Sequence, residues 1–174
     1  QFENLEHKVK LVWDFTRIQI MQKIQETLTK QPYIGEDSLI ALAVPFIMEQ
    51  KLDGSFLGLS RHLSVDGFTV AEPMILDAKF GPLEDFHPLY TTGYGMVMES
   101  IYEYPINLGC VVYVRFDGNR VFVRKKLHIL SDELRQWFIE ERDHKMRLVY
   151  DEIDPGMEKD KCPVNCPYYG YCFG

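Results

Sequence analysis

No run in this 174-residue chain is apolar for long enough to cross a membrane as a helix. The chain also lacks a phosphate-cradling P-loop, a Gly-x-Gly-x-x-Gly dinucleotide fingerprint and a Gly-x-Ser-x-Gly nucleophile elbow. Those absences remove the commonest nucleotide-hydrolysing, hydride-transferring and serine-hydrolase classes. There are no internal repeats and no low-complexity segments, so a solenoid is excluded as well. Positive charge is scarce, with 19 Lys and Arg against 26 Asp and Glu for a formal charge of −7. That balance argues against a surface coated for nonspecific DNA binding. It leaves room for a nuclease, whose acidic site is loaded with metal and whose basic surface can be local. Basic residues do gather at Arg115 to Lys126 and at Arg142 to Arg147. No signal peptide is visible, and the chain begins at Gln1 rather than Met, so the expectation is a natural N-terminus that starts further upstream.

What is present suits one folded domain with a small appendage: residues 1–155, then a cysteine-rich segment over 156–174. Hydrophobic residues make up 46% of the chain, enough for a real core. Apolar residues from Val9 to Leu28 recur at mixed three and four spacing, which predicts a helix over about Glu3 to Lys30, ended by Pro32. Asp37 to Ala43 fits either helix or strand. Val44 to Gln50 reads as a strand, and Leu52 to Ser55 as a turn. A helix is predicted from Leu89 to Tyr102 and a buried strand from Asn107 to Phe116. Asp117-Gly118-Asn119 signals a hairpin turn, with Arg120 to His128 as the return strand. Ser131 is a plausible N-cap for a charged helix running to about Tyr150, broken by Pro155-Gly156.

The chemistry concentrates in FLGLSRHLSVDGFTVAEPMILDAKFG, Phe56 to Gly81. It reads as two strands, each apolar until a carboxylate: Asp66 on the first, Asp77 on the second. Asp77 and Lys79 are two apart, so on a strand they share a face. Asp66 lies a hairpin's length upstream, near enough to meet them. Two carboxylates hold a hard divalent cation through oxygen. An ammonium beside them can orient a water or stabilise charge developing on a phosphate. That is the equipment of metal-dependent phosphodiester hydrolysis. An isolated Asp-x-Lys is usually a solvated strand face, but charges that end a buried strand are costly unless paired or metal-bound. Glu49 either joins this site or is an ordinary strand carboxylate. Tyr94, on the following helix, either contacts a phosphate or is core with a satisfied hydroxyl. His87 falls on a similar side two turns earlier.

The tail, KCPVNCPYYGYCFG, holds Cys162, Cys166 and Cys172. Three thiols so close suit a metal centre or an iron–sulfur cluster, with zinc as the competing ligand; a disulfide would leave one cysteine over. The fourth ligand is either Cys110, whose apolar strand suggests an ordinary buried thiol, or, preferably, a cysteine upstream of Gln1.

Taken together, Asp…Asp-x-Lys on paired strands and a C-terminal cysteine triad resemble the CRISPR-associated RecB-like iron–sulfur nucleases. This is the "Cas four" family of the PD-(D/E)xK superfamily, in its archaeal type I-A variant. The resemblance covers about Ala41 to Cys172 and is carried by ALAVPFIMEQKLDGSFLGLSRHLSVDGF, ILDAKFG, FHPLYTTGYGMVMESIYEYPINLGCVVYV, DELRQWFIEERDHKM and CPVNCPYYGYC. It implies an α/β, restriction-endonuclease-like core, a mixed central sheet flanked by helices, closed by an iron–sulfur subdomain. Asp66 and Asp77 become metal ligands, with the Ala78 carbonyl as a further one and Lys79 as the motif's lysine. Tyr94 matches the Tyr of the family's Gln-x-x-x-Tyr helix. Tyr90 stands in place of the Gln, and His87 substitutes in part. The family's N-terminal metal-binding His is either His7 or a residue upstream of Gln1. Cys162, Cys166 and Cys172 become cluster ligands.

The implied function is a Mg²⁺- or Mn²⁺-dependent DNA exonuclease in the cytoplasm. It would act on single strands or overhangs and trim spacer precursors beside the CRISPR integrase and adaptation proteins, with a cluster of 4Fe–4S type. Two rival readings are a non-catalytic subunit on a nuclease-like scaffold and a zinc-binding interaction module.

Overall fold

The structure, a computed structural model, describes residues 2–70, 72–154, 156, 162 and 166–173. They divide into two compact units, Gln1–Phe138 and Ile139–Gly174.

The first unit opens with α1 (Phe2–Lys30), a stretch free of Gly and Pro. Many of its apolar side chains stay exposed, among them Val9, Trp13, Ile18 and Met21. The segment that fitted either helix or strand is a helix, α2 (Glu36–Ala43). Strand β1 (Phe46–Leu52) begins after Pro45 and runs two residues past the sequence expectation. Asp53 then accepts hydrogen bonds from the Ser55 amide at 2.9 Å and its hydroxyl at 2.5 Å, which starts a single 3₁₀ turn. Strands β2 (Leu63–Thr69) and β3 (Met74–Lys79) follow, then α3 (Pro88–Tyr102), β4 (Leu108–Asp117) and β5 (Arg120–Ile129). Helix α4 (Asp132–Tyr150) crosses from the first unit into the second, where α5 (Tyr169–Phe173) forms a short turn that the sequence did not suggest.

The five strands lie in the order β1-β2-β3-β4-β5. Every neighbouring pair is antiparallel except β3 and β4, which are parallel. A parallel pair cannot be joined by a hairpin, so the chain crosses over the sheet through α3. The α/β class and the mixed sheet expected from sequence are therefore present. Leu52, Val65, Ile75, Val97, Met98, Ile106 and Leu130 form the core between α3 and the sheet. Two glycines let backbones approach: a Cβ on Gly93 would sit 2.5 Å from the Phe138 ring, and one on Gly109 would meet His128 and Thr91 at 2.6 and 2.7 Å. Arg135 ties the start of α4 to α3. Its guanidinium donates twice to the Glu99 carboxylate, at 2.5 and 2.9 Å, and also to the carbonyls of Leu130 and Ile106.

Candidate active site

Register places the carboxylates. Gly67 pairs with Leu76, so one step further along the antiparallel ladder Asp66 stands opposite Asp77. Asp66 Oδ2 accepts the amide of Ala78 at 2.8 Å, which holds that carboxylate against β3. Asp77 is 4% exposed, buried as the end of the PMIL run implied. Lys79 lies beside it as the shared strand face requires. Its Nζ donates to Oδ1 at 3.1 Å and stands 2.9 Å from Oδ2. The second approach is an ion pair without hydrogen-bond alignment, and Oδ2 is a buried acceptor with no donor among the described residues. Burial pushes the Asp77 carboxyl above the ordinary range, and the Asp66 charge adds to that; Lys79 and His87 act the other way without overcoming it.

Helix α3 and its entry supply the rest. The Lys79 ammonium lies over the Tyr90 ring, 4.0 Å from its centroid, a contact that fixes the amine between an anion and a π-face. His87, at the N-terminus of α3, is buried, and its Nδ1 lies 3.0 Å from the Tyr113 hydroxyl. The Glu84 amide points at the same nitrogen from 3.4 Å, so Nδ1 is assigned as acceptor and Tyr113 as donor. Tyr94 packs against the core while its hydroxyl senses both carboxylates. Burial first, and then the anions, push the Tyr94 and Tyr113 hydroxyls above the ordinary phenol range. Both keep their protons at neutral pH; Tyr113 gives its proton to His87 Nδ1, and Tyr94 can donate to an anionic oxygen.

Asp66, Asp77, Lys79 and Tyr94 thus come together, with the Ala78 backbone between the two acids. Sequence reasoning missed Tyr113, although a lone Tyr in the aliphatic run GCVVYV is a visible signal. It gave Tyr90 only a lost glutamine's place, not its contact with Lys79. Glu49 takes the register position opposite Asp66, between the Met48–Gly67 and Gln50–Val65 pairs. Its backbone is left-handed, with φ 52°, and its carboxylate accepts from the Ser64 hydroxyl at 2.8 Å. The expected N-terminal histidine candidate, His7, is engaged with Asn119 at 3.0 Å in the β4–β5 turn. Among the described residues no group of three or more His, Cys, Asp or Glu side chains stands ready to hold one ion. The acids are therefore a pair, and an orphaned, buried oxygen on one of two carboxylates opposed in the strand register is a donor set a hard cation fits.

In the second unit Cys162 is buried, and burial together with the neighbouring Cys166 and Cys172 thiols pushes its own thiol up. Cys162 has both other thiols near it, but the three are not gathered as a ready ligand group. Three soft donors fit a thiophilic metal or cluster by chemistry. Cys110 is 1% exposed on β4, with its thiol pushed up by burial, and behaves as a core residue. No described helix is long and apolar enough to cross a membrane.

Comparison with known proteins adds a family to this geometry. A curated relative from Saccharolobus solfataricus, "CRISPR-associated exonuclease Csa1", is 35% identical over 163 residues, which is 94% of this chain and 55% of the relative. A Thermoproteus tenax relative of the same name is 31% identical over 170 residues, 98% of this chain and 59% of that one. The chain therefore spans little more than half the length of the curated relatives it matches. The crystal structure of SSO0001 aligns over 99% of this chain and 93% of its own at 12% identity with a TM-score of 0.34, a likeness too slight to carry anything across. The profile of the CRISPR-associated exonuclease Csa1 family matches residues 1–174, and the chain belongs to that family.

Proposed function

We propose that this chain is a metal-dependent DNA exonuclease of the PD-(D/E)xK, restriction-endonuclease-like kind, trimming single strands or overhangs during CRISPR adaptation. One observation carries the reading: the buried Asp77 oxygen that has no hydrogen-bond donor among the described residues, 2.9 Å from the Lys79 ammonium and on the residue opposite Asp66 in the strand register. A structural ion pair would satisfy both carboxylate oxygens; a cation site leaves one open. Asp66 and Asp77 would hold Mg²⁺ or Mn²⁺, with the Ala78 carbonyl as a further oxygen. Bound there, the cation supplies Lewis-acid stabilisation of the phosphate and lowers the pKa of water. Lys79, fixed by Asp77 and Tyr90, orients the attacking water and balances charge as the phosphorus becomes five-coordinate. The Tyr94 hydroxyl, protonated at neutral pH, donates to another of the phosphate's oxygens, while Tyr113 spends its proton on His87 Nδ1 and holds that ring in place.

Cys162, Cys166 and Cys172 would hold an iron–sulfur cluster, 4Fe–4S in kind, as a structural staple in a compartment too reducing for disulfides. The family name of the relatives supports the exonuclease activity, and the integrase and other adaptation proteins are the expected partners. The alternative, a non-catalytic subunit of an adaptation complex, is favoured by the exposed apolar residues of α1.

End-labelled single-stranded DNA incubated with Mn²⁺ separates the two. Native protein should shorten the label progressively and Lys79→Ala should not. Equal cutting by that variant removes the site, and no cutting by native, cluster-loaded protein moves the reading to the assembly subunit. The visible spectrum of the same sample distinguishes a brown iron–sulfur protein from a colourless zinc one.

A further inference from the structure

The sheet register extends the site in one direction. Lys79 pairs with Tyr113 across the parallel ladder, and Tyr113 pairs with Arg124 across the next. Paired residues share a face, so Lys79, Tyr113 and Arg124 form one row, with Lys79 and Arg124 about 10 Å apart at two strand spacings. One step along the strands, about 7 Å on, Arg115 pairs with Phe122 on that same face. The Arg115 guanidinium lies over the Phe122 ring, 5.4 Å from its centroid. Arg115, Phe122 and Arg124 are all exposed. Among the described residues neither arginine is in an ion pair, whereas most of the chain's other close cation–anion pairs lie within or between helices. Acids are few on this face: Glu84 lies near Tyr113, and Asp117 is opposed by Arg120 at the far end.

We propose that Arg124 and Arg115 form a phosphate-binding track that carries the DNA strand away from the Asp66–Asp77 site across the open end of the sheet. The proposal rests on the nuclease reading and gives it a substrate path. A chain of net charge −7 repels a polyanion at long range. Local cations aligned with the scissile position are what would let a strand dock. Arginine suits the task because its planar fork grips phosphate oxygens in pairs. Phe122 holds the Arg115 fork flat and can also support a base. Strand alternation supplies an internal control. Lys125, next to Arg124 and also exposed, projects from the opposite face and lies off the track.

The experiment measures binding of an end-labelled oligothymidylate to the full chain in EDTA, as a function of salt. Affinity should fall with log salt at a slope of about 0.7 per phosphate neutralised. Replacing both arginines (Arg115→Gln with Arg124→Gln) should weaken binding at least tenfold at low salt and flatten the slope by about 0.7 for each phosphate no longer gripped. Lys125→Gln should leave affinity and slope at native values. An unchanged slope in the double variant overturns the track, as does equal flattening in Lys125→Gln. Metal-dependent hydrolysis of a small aryl phosphodiester by native protein, a substrate too short to reach Arg124, reads the nuclease site alone. Its failure with a flattened slope leaves the track and removes the nuclease; its success with an unchanged slope does the reverse.

Discussion

Replacing Asp77 by Asn should make the metal-free protein more stable while abolishing its response to metal. The native carboxylate is 4% exposed, has one oxygen without a donor, and is held above its ordinary pKa by burial despite Lys79. A carboxyl whose folded pKa is raised contributes stability that is full below the unfolded value, near 3.8, and is lost as pH rises through the folded value. At neutral pH Asp77 is therefore a liability to the fold. An isosteric neutral side chain removes the desolvated charge, and an unmet buried acceptor of this kind costs about 1–3 kcal/mol. Lys79 loses a partner at small cost, because its side chain is 24% exposed and can be hydrated. For a chain of this size a gain of about 1 kcal/mol is roughly 2–4 °C in Tm. Metal acts in the opposite sense. Mn²⁺ at a hundredfold its Kd should stabilise native protein by about 2.7 kcal/mol, and the Asp77→Asn variant should forfeit that increment. Thermal unfolding in EDTA and in Mn²⁺, at pH 4 and pH 7, gives the four numbers needed. The advantage of Asp77→Asn in EDTA should shrink on acidification. A variant less stable than native at pH 7 in EDTA, or one that keeps the Mn²⁺ increment, refutes the assignment of Asp77 as an unmet cation ligand.

Lys79→Ala should lower cleavage by at least a hundredfold, since removing one preorganised charge from a transition state costs about that much, and should also lower Tm in EDTA at pH 7, because the buried Asp77 carboxylate loses its partner. Arg135→Ala should destabilise by about 2–3 kcal/mol in urea unfolding, because Glu99 and the carbonyls of Leu130 and Ile106 lose their donor. Burial raises the Glu99 carboxyl, but Arg135 and the Ile106 amide outweigh it and leave it lowered. Its contribution is present above about pH 4.5 and lost as pH falls through the lower folded value, so Glu99→Gln should blunt acid unfolding. Gly93→Ala should cost about 1–3 kcal/mol through its clash with Phe138. The cluster proposed for the cysteine triad predicts a visible absorbance and bound iron that Cys162→Ala should lose and Cys110→Ala should retain, read by the spectrum and iron content of each purified variant.

The sequence exposed those parts of the molecule whose cause is local. The period-3.6 run of α1, the Asp-Gly-Asn turn between β4 and β5, and the burial of Asp77 after an apolar tetrad all follow from neighbours in the chain. The α2 segment was ambiguous because eight residues carry too little periodicity to separate helix from strand. What stayed hidden depends on pairing between distant strands. Nothing near Tyr113 says that it will stand beside Lys79; that follows from the parallel register, which α3 sets. Tyr90 was visible as a departure from a motif, but its cation–π contact needs α3 to lie across the end of β3. Glu49 could be judged only once its left-handed backbone and its bond to Ser64 were known.

The single parallel pair has a kinetic consequence. Strands β1, β2 and β3 form by short local connections, and so does the β4–β5 hairpin; only the β3–β4 ladder must wait for a long loop to close through α3. On that order Asp66 and Asp77 would meet in the fast half, while Tyr113 and Arg124 would arrive with the slow half. Asp77 would then keep its water until that docking and lose it only in the late step. A cation captured early by the two acids would lower the barrier to closure, so the ion proposed above for this site would also act as a folding catalyst for the sheet that houses it.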